Sequence, residues 1–343
     1  MIIVLRPDAS EEQFKQLVDK IESQGLRVHV SKGTERTIIG AIGDERILQN
    51  LSIDAMPGVE NVLPILKPYK LASRDFHPEK SKIKVRDVVI GGDEVIVAGG
   101  PCSVETGDSL IKTAMAVKAA GGKMLRAGAF KPRTSPYDFQ GLGEDGLKIL
   151  DEARSATGLP FITEVMETRT VDLVYQYADV LQIGARNTQN YNLLKEVGQT
   201  DKPVLLKRGM SVSIKEFMLA AEYILSEGNQ KVILCERGIR TFETATRNTL
   251  DIASVAVLHY ETHLPVWIDP SHAAGNWRWV TPLARAAVAI GADGLIVEVH
   301  VKPENAWSDG AQSLRPDKFN NLMAEIRRVA DAIGRTVAQG ENA

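Results

Sequence analysis

Eight short apolar runs recur between residues 95 and 300, and each stops at a polar side chain. The run from Val95 ends at Cys102, the one from Met124 at Arg126, and the one from Phe161 at Glu164. Val180 leads to Arg186, Val204 to Lys207, and Val232 to the pair Glu236–Arg237. Val266 leads to Asp269 and His272, and Leu295 to Glu298 and His300. A segment of helical pattern separates consecutive runs. Continuous apolar strands alternating with helices predict a parallel sheet covered on both faces. Eight such units in residues 93–338 fit a (β/α)₈ barrel, whose chemistry sits where the strands end. An open doubly wound sheet is the alternative, but it would not need polar residues at all eight strand ends.

Residues 1–66 follow a different rhythm. Ile2 to Leu5 reads as a strand. Ser10 followed by two acids opens a helix with Phe14, Leu17, Val18 and Ile21 on its buried stripe, and Gly25 closes it. Strands are expected at 26–30 and 37–42, joined by a short turn, then a short helix near 45–51 and a last strand at 59–66. The order βαββαβ predicts a ferredoxin-like sandwich. Residues 67–92 read as a linker and a small hairpin that plugs the barrel floor.

Two groups of residues carry candidate chemistry. Arg126, Lys131 and Arg133 fall within eight residues of one another, among two prolines that forbid a solvated helix face. A rigid strand-end loop presenting fixed positive charge suits phosphate or carboxylate. Cys102, His272 and Glu298 end three strands, and Asp309 follows the last one. In a closed barrel the first, seventh and eighth strands are neighbours, so these four would converge. Thiolate, imidazole and carboxylate together suit Mn²⁺, Fe²⁺, Co²⁺ or Zn²⁺ better than Mg²⁺. Taken singly, each has a plainer reading: a buried thiol is a small hydrophobe and a lone His is hydrogen-bonded. Cys235, inside an alternating run, reads as core packing.

Composition narrows the setting. With 343 residues, 44% of them hydrophobic, the chain can fill one large core and a small one. A net charge of −3 argues against a nucleic-acid surface, so the clustered cations are for small anions. No apolar stretch approaches the roughly 20 residues of a membrane span, and no signal peptide is read at the N-terminus. Two cysteines make no disulfide framework, which points to the cytoplasm.

Six segments together resemble one family: residues 98–103, 125–137, 182–186, 206–209, 235–238 and 268–272 are similar to 3-deoxy-D-arabino-heptulosonate 7-phosphate (DAHP) synthase. The likeness spans nearly the whole chain and is nearest the type I beta subclass with a ferredoxin-like front domain. Gly99 and Ala127 are small departures beside the motifs. The resemblance implies a metal-dependent, aldol-like condensation of phosphoenolpyruvate with erythrose 4-phosphate and water, the first step of the shikimate pathway. It implies Cys102, His272, Glu298 and Asp309 as ligands of one divalent ion. It places Arg126, Lys131, Arg186, Lys207 and Arg237 around phosphoenolpyruvate, and Arg133 and Thr134 on the sugar phosphate. Asp269 and Ser271 flank His272 and would orient it or the aldehyde. Lys131 is expected to move a proton, on the argument that neighbouring cations disfavour its charged form, and the attacking water is expected near Lys131, Glu164 or the metal. Lys207 as a Schiff-base lysine is the rival role. In this subclass the front domain resembles a site for feedback inhibition by tyrosine or phenylalanine. His29 and Ser31 are the candidate contacts, and a homotetramer is implied. The octulosonate 8-phosphate synthases are the close rival, but they carry Asn where this chain has Pro132 and lack the front domain. A non-catalytic sensor would have lost a ligand or a substrate cation, and none is missing.

Overall fold

The computed structural model describes residues 1–33, 36–44, 46–49, 51–63 and 68–340. The chain divides into two compact units, Met1–Pro68 and Tyr69–Ala343.

The first unit contains β1 (Ile2–Leu5), α1 (Glu11–Glu22), β2 (Arg27–Lys32), β3 (Thr37–Ile42), the one-turn α2 (Arg46–Gln49) and β4 (Val59–Leu63). The strands form one antiparallel sheet in the order β2-β3-β1-β4, which is the expected ferredoxin-like arrangement. Helix α1 starts where Ser10 and Gln13 cap each other's backbone N–H groups, the reciprocal arrangement that satisfies two orphan donors. Its Leu17 and Ile21 pack with Ile3 and Ile39 of the sheet, all fully buried. The second helix covers Arg46–Gln49 among the described residues, residues 45 and 50 of its expected span lying outside them, and a 3-10 turn, Ile53–Ala55, carries the chain on to β4. Residues 64–66 of the expected last strand, and residues 34–35 of the β2–β3 turn, lie outside the described residues. His29 and Ser31 alternate with the half-buried Val28 and Val30 along β2, so both face solvent within this unit.

The second unit opens with a hairpin, β5 (Ile83–Val85) and β6 (Val88–Ile90). The barrel strands are β7 (Ile96–Gly100), β8 (Met124–Arg126), β9 (Phe161–Val165), β10 (Val180–Ile183), β11 (Val204–Lys207), β12 (Val232–Glu236), β13 (Val266–Ile268) and β14 (Gly294–Glu298). All pair in parallel and the sheet closes, β14 lying against β7 with Ile296 opposite Ala98. The intervening helices are α3 (Gly107–Ala119), α4 (Glu144–Thr157), α5 (Val171–Tyr177), α6 (Tyr191–Gly198), α7 (Ile214–Ser226), α8 (Ala253–Glu261), α9 (Pro270–Ala274), α10 (Trp277–Ala289) and, after β14, α11 (Pro316–Ala332).

Because successive strand residues point to opposite faces, each strand serves two layers. Val97, Leu125, Phe161, Leu181 and Leu234 pack outward on the helices. Ile96, Met124, Ile162, Val180, Leu205, Ile233, Cys235, Trp267 and Ile296 fill the barrel interior, where Ile83, Val85, Val88 and Ile90 of the hairpin join them. The hairpin therefore packs into the N-terminal end of the barrel, and Cys235 is a core residue. Gly99 belongs to the outward layer: a Cβ there would stand 2.8 Å from Val117 Cγ2, so the helix packs too closely for alanine without a shift.

Candidate active site

The C-terminal ends of the strands are polar where their beginnings are apolar. A cavity of about 200 Å³ opens there, and its wall includes Arg126, Lys131, Arg133, Thr134, Glu164, Arg186, Lys207 and Arg237, with His272 and Asp309 at one side. Arg126, Lys131 and Arg133 come from β8 and its loop, and the other charged groups from six further strands or the loops that follow them, which is how a barrel gathers residues distant in sequence.

One flank is a four-donor cluster. The ligand-type atoms of Cys102, His272, Glu298 and Asp309 all lie within 4.8 Å of one another. Cys102 Sγ is 3.1 Å from Asp309 Oδ2, and His272 Nε2 is 3.4 Å from Glu298 Oε1. Asp269 caps α9 by accepting from His272 N at 2.9 Å, and its other oxygen lies 2.7 Å from His272 Nδ1. That contact fixes the ring with its proton on Nδ1 and leaves the Nε2 lone pair facing the cluster. Burial holds His272 below its ordinary value in spite of the two carboxylates, so it is neutral at pH 7. Burial opposes the charge on Asp269, but His272 and Lys207 hold it well below the usual carboxylate range. Burial, with Glu298 adding to it, pushes the Cys102 thiol up to about 12. Asp309 goes the other way: against partial burial, Arg247 and the Cys102 thiol bring it down to about 2. Asp309 also sits in the left-handed region, at φ 53, which for a non-glycine residue marks backbone held there by its surroundings. An imidazole, a thiol and two carboxylates at this spacing are the donor chemistry of a first-row divalent ion.

The rest of the wall is cationic. Arg126 is anchored by Pro101 O at 2.7 Å and Glu298 Oε1 at 3.3 Å. Its buried Nε, and the buried Nη1 of Arg237, have no hydrogen-bond partner among the described residues. Buried donors of this kind are normally satisfied, so each calls for an acceptor. Lys207 Nζ is paired with Asp269 Oδ2 at 2.5 Å, a contact suited to an electrostatic role and not to a free amine. Arg133 reaches Ser308 Oγ at 2.8 Å, beside Asp138. Glu164 accepts from Gln182 at 3.2 Å through Oε2, while its Oε1 is buried without a partner among the described residues. Burial raises the Glu164 carboxyl in spite of Lys131, Lys207 and Arg126.

Lys131 differs from its expectation. Its Nζ lies 2.8 Å from Cys102 Sγ and 3.1 Å from Cys102 O. Burial would lower it, but Cys102 and Glu164 more than offset that, and the ammonium is favoured. The sequence shows the cations around Lys131; it does not show that Cys102 and Glu164, from two other strands, outweigh them. Ser271 differs too. It is fully buried, and its hydroxyl accepts from Glu298 N at 3.0 Å, so it faces the Glu298 backbone and not the cavity. Sequence reasoning passed over Arg247, Gln182 and Gln312. Gln182 had a signal, being a polar residue within the apolar run 180–183. Arg247, in an irregular loop, and Gln312, at the end of the 3-10 turn Gly310–Gln312, had none.

A (β/α)₈ barrel with a cation-lined mouth and a four-donor cluster is the class this architecture defines. The chain belongs to the DAHP synthetase I family, whose model matches residues 75–333, and the family's ferredoxin-like domain matches residues 1–67. It is an enzyme of that family. It is 52% identical to the phospho-2-dehydro-3-deoxyheptonate aldolase of Thermotoga maritima, over 97% of this chain and 99% of that one. The crystal structure of a Thermotoga maritima protein of that name superposes with a TM-score of 0.92 at 51% identity, covering 98% of each chain. A 2-dehydro-3-deoxyphosphooctonate aldolase from Syntrophotalea carbinolica is 33% identical over 73% of this chain and 96% of its own length.

Proposed function

We propose that the barrel condenses phosphoenolpyruvate with erythrose 4-phosphate and water, releasing DAHP and inorganic phosphate. The observation that carries this reading is the pair of buried donors without a partner among the described residues, Arg126 Nε and Arg237 Nη1, in a cavity walled by further cations. A substrate bearing both phosphate and carboxylate matches them, since guanidinium forks bind both groups. Arg126, Lys131, Arg186, Lys207 and Arg237 hold phosphoenolpyruvate. Arg133 and Thr134, at the rim, take the phosphate of the four-carbon sugar.

Cys102, His272, Glu298 and Asp309 would hold one divalent ion, Mn²⁺, Fe²⁺, Co²⁺ or Zn²⁺. When bound, it supplies Lewis acidity to the sugar aldehyde. The methylene carbon of phosphoenolpyruvate bonds to the aldehyde carbon, and the adjacent carbon becomes electron-poor. Lys131, held as an ammonium, gives its proton to the aldehyde oxygen as that oxygen gains charge. A water held by Glu164 Oε1 adds its oxygen to the electron-poor carbon, and its proton passes to that carboxylate. The resulting phosphohemiketal loses inorganic phosphate. Lys207 acts through its pairing with Asp269, which steadies His272, and forms no Schiff base.

The front domain is the proposed site of inhibition by tyrosine or phenylalanine, with exposed His29 and Ser31 on β2 as contacts, in a homotetramer. Unchanged inhibition in His29→Ala would remove those contacts from the account.

The deciding assay follows the loss of phosphoenolpyruvate absorbance with erythrose 4-phosphate. It uses protein stripped with chelator and re-supplied with Mn²⁺, with and without tyrosine. Metal-restored turnover that needs the four-carbon sugar is expected. Turnover only with arabinose 5-phosphate would move the reading to the octulosonate reaction.

A further inference from the structure

Both carboxylates of the four-donor cluster are held from behind. Glu298 turns Oε1 inward, 3.4 Å from His272 Nε2, while its Oε2 accepts from Gln312 Nε2 at 2.8 Å. Asp309 turns Oδ2 inward, 3.1 Å from Cys102 Sγ, while its Oδ1 accepts from Arg247 Nη1 at 3.2 Å. Arg247 Nη1 also donates to Gln312 Oε1 at 2.8 Å, which joins the two supports. The result is one chain of hydrogen bonds: Asp309, Arg247, Gln312, Glu298.

The amide of Gln312 has only one workable orientation here. Arginine can only donate and an ionised carboxylate can only accept, so Oε1 must face Arg247 and the NH₂ must face Glu298. Gln312 is only 2% exposed, and it joins Glu298 directly to Arg247, which in turn holds Asp309. Arg247 is half-open to solvent and brings the one positive charge in the chain.

We infer that Gln312 is a positioning residue for the divalent site, coupling Glu298 to Asp309 through Arg247 so that each offers one oxygen to the ion. The inference rests on the metal reading above and deepens it. It assigns the outer oxygens to Gln312 and Arg247 and the inner ones to the metal, with Arg126 Nη1 also 3.3 Å from the inner oxygen of Glu298. Support of this kind fixes ligand orientation and typically accounts for about 10–100-fold in metal affinity.

The test is titration of chelator-stripped protein with Co²⁺, read by the absorption that a cysteine thiolate gives on binding that ion. Wild type should bind with this signature. Gln312→Met keeps the volume and removes the amide, and Gln312→Glu keeps the shape and faces Glu298 with an acceptor. Both should weaken Co²⁺ about 10–100-fold and alter the spectrum, with circular dichroism unchanged. Arg247→Lys, at a more exposed position, retains charge but ends one atom short of Nη1, the atom that meets both partners, and should fall between them and wild type. In the double variant the losses should be less than additive, because the two side chains act in one chain. Wild-type affinity and spectrum in folded Gln312→Met, or in Arg247→Lys should the first variant not fold, would overturn the inference. A wild-type chain that takes up no Co²⁺ would instead overturn the metal reading beneath it.

Discussion

The two ends of the barrel are built from the same strands and do opposite things. At the N-terminal end, Trp267, Ile296, Met124 and their neighbours meet the hairpin in a fully apolar plug. At the C-terminal end, a few residues further along those strands, Arg126, Lys207, Asp269 and Glu298 are nearly as buried but charged. One end gains from excluding water; the other must offset the desolvation of its charges by pairing them or by binding something charged. The difference teaches that stability and chemistry are separable along a single strand over about two residues, some 7 Å at the rise of a β-strand.

The sharpest break of that separation would be at Cys102. Cys102→Ser changes one atom at the polar end, so turnover should fall by more than the roughly 100-fold upper range of outer support residues. The thermal midpoint of stripped protein should stay close to wild type. A large drop in that midpoint would mean the cluster is holding the fold. At the other end, Trp267→Ala removes the largest fully buried side chain. It should cost about 3–5 kcal/mol in denaturant unfolding while the folded protein keeps its turnover. Loss of turnover at full folding would show that the floor shapes the mouth.

Gly184→Ala probes the boundary with a smaller effect. A Cβ there would stand 2.0 Å from Glu164 Oε1, and the glycine is in an ordinary extended conformation, so only the carboxylate must move. We expect activity to drop about 100-fold, the lower end of what a proton-transfer group contributes, because the carboxylate is displaced and not removed, with little change in denaturant midpoint. The mildest test is acid. Burial holds His259 and His263, both away from the mouth, below their ordinary value. Their contribution to stability is full above the unfolded value of about 6.5 and is lost as pH falls through the lower folded values, because the unfolded chain takes up protons first. The thermal midpoint should decline below about pH 6.5, and less steeply in His259→Gln. An unchanged slope would clear that residue.

What was legible in the sequence follows the same division. The barrel could be read because β-strands buried on both faces are short continuous apolar runs, and a polar residue marks where each run leaves the core. The order of front-domain elements was legible for the similar reason that α1 and its strands alternate between two periods. Residues at strand ends, such as Arg126, Lys207 and Glu298, could be singled out because they break an apolar pattern. Gln312 and Arg247 could not, since loops carry no period to break. The direction of a side chain was also hidden: Ser271 adjoins His272 in the chain, yet it serves the backbone of the next strand. The electrostatic state of Lys131 depended on Cys102 and Glu164, which reach it only through closure of the sheet.

The pairing of β14 with β7 has a consequence for how the protein is made. Cys102 and Asp309 touch across a separation of 207 residues. At the usual rate of about 5–20 residues per second, ~10–40 s of synthesis separate the thiol from its last partner. Throughout that interval the emerging chain is a row of βα units with an open edge on β7. Its cysteine has neither the enclosure nor the neighbours that later define it. The four-donor cluster is complete only when the final strand docks and the loop after it closes, so a ribosome-bound fragment lacks the site however much of the barrel it has already built.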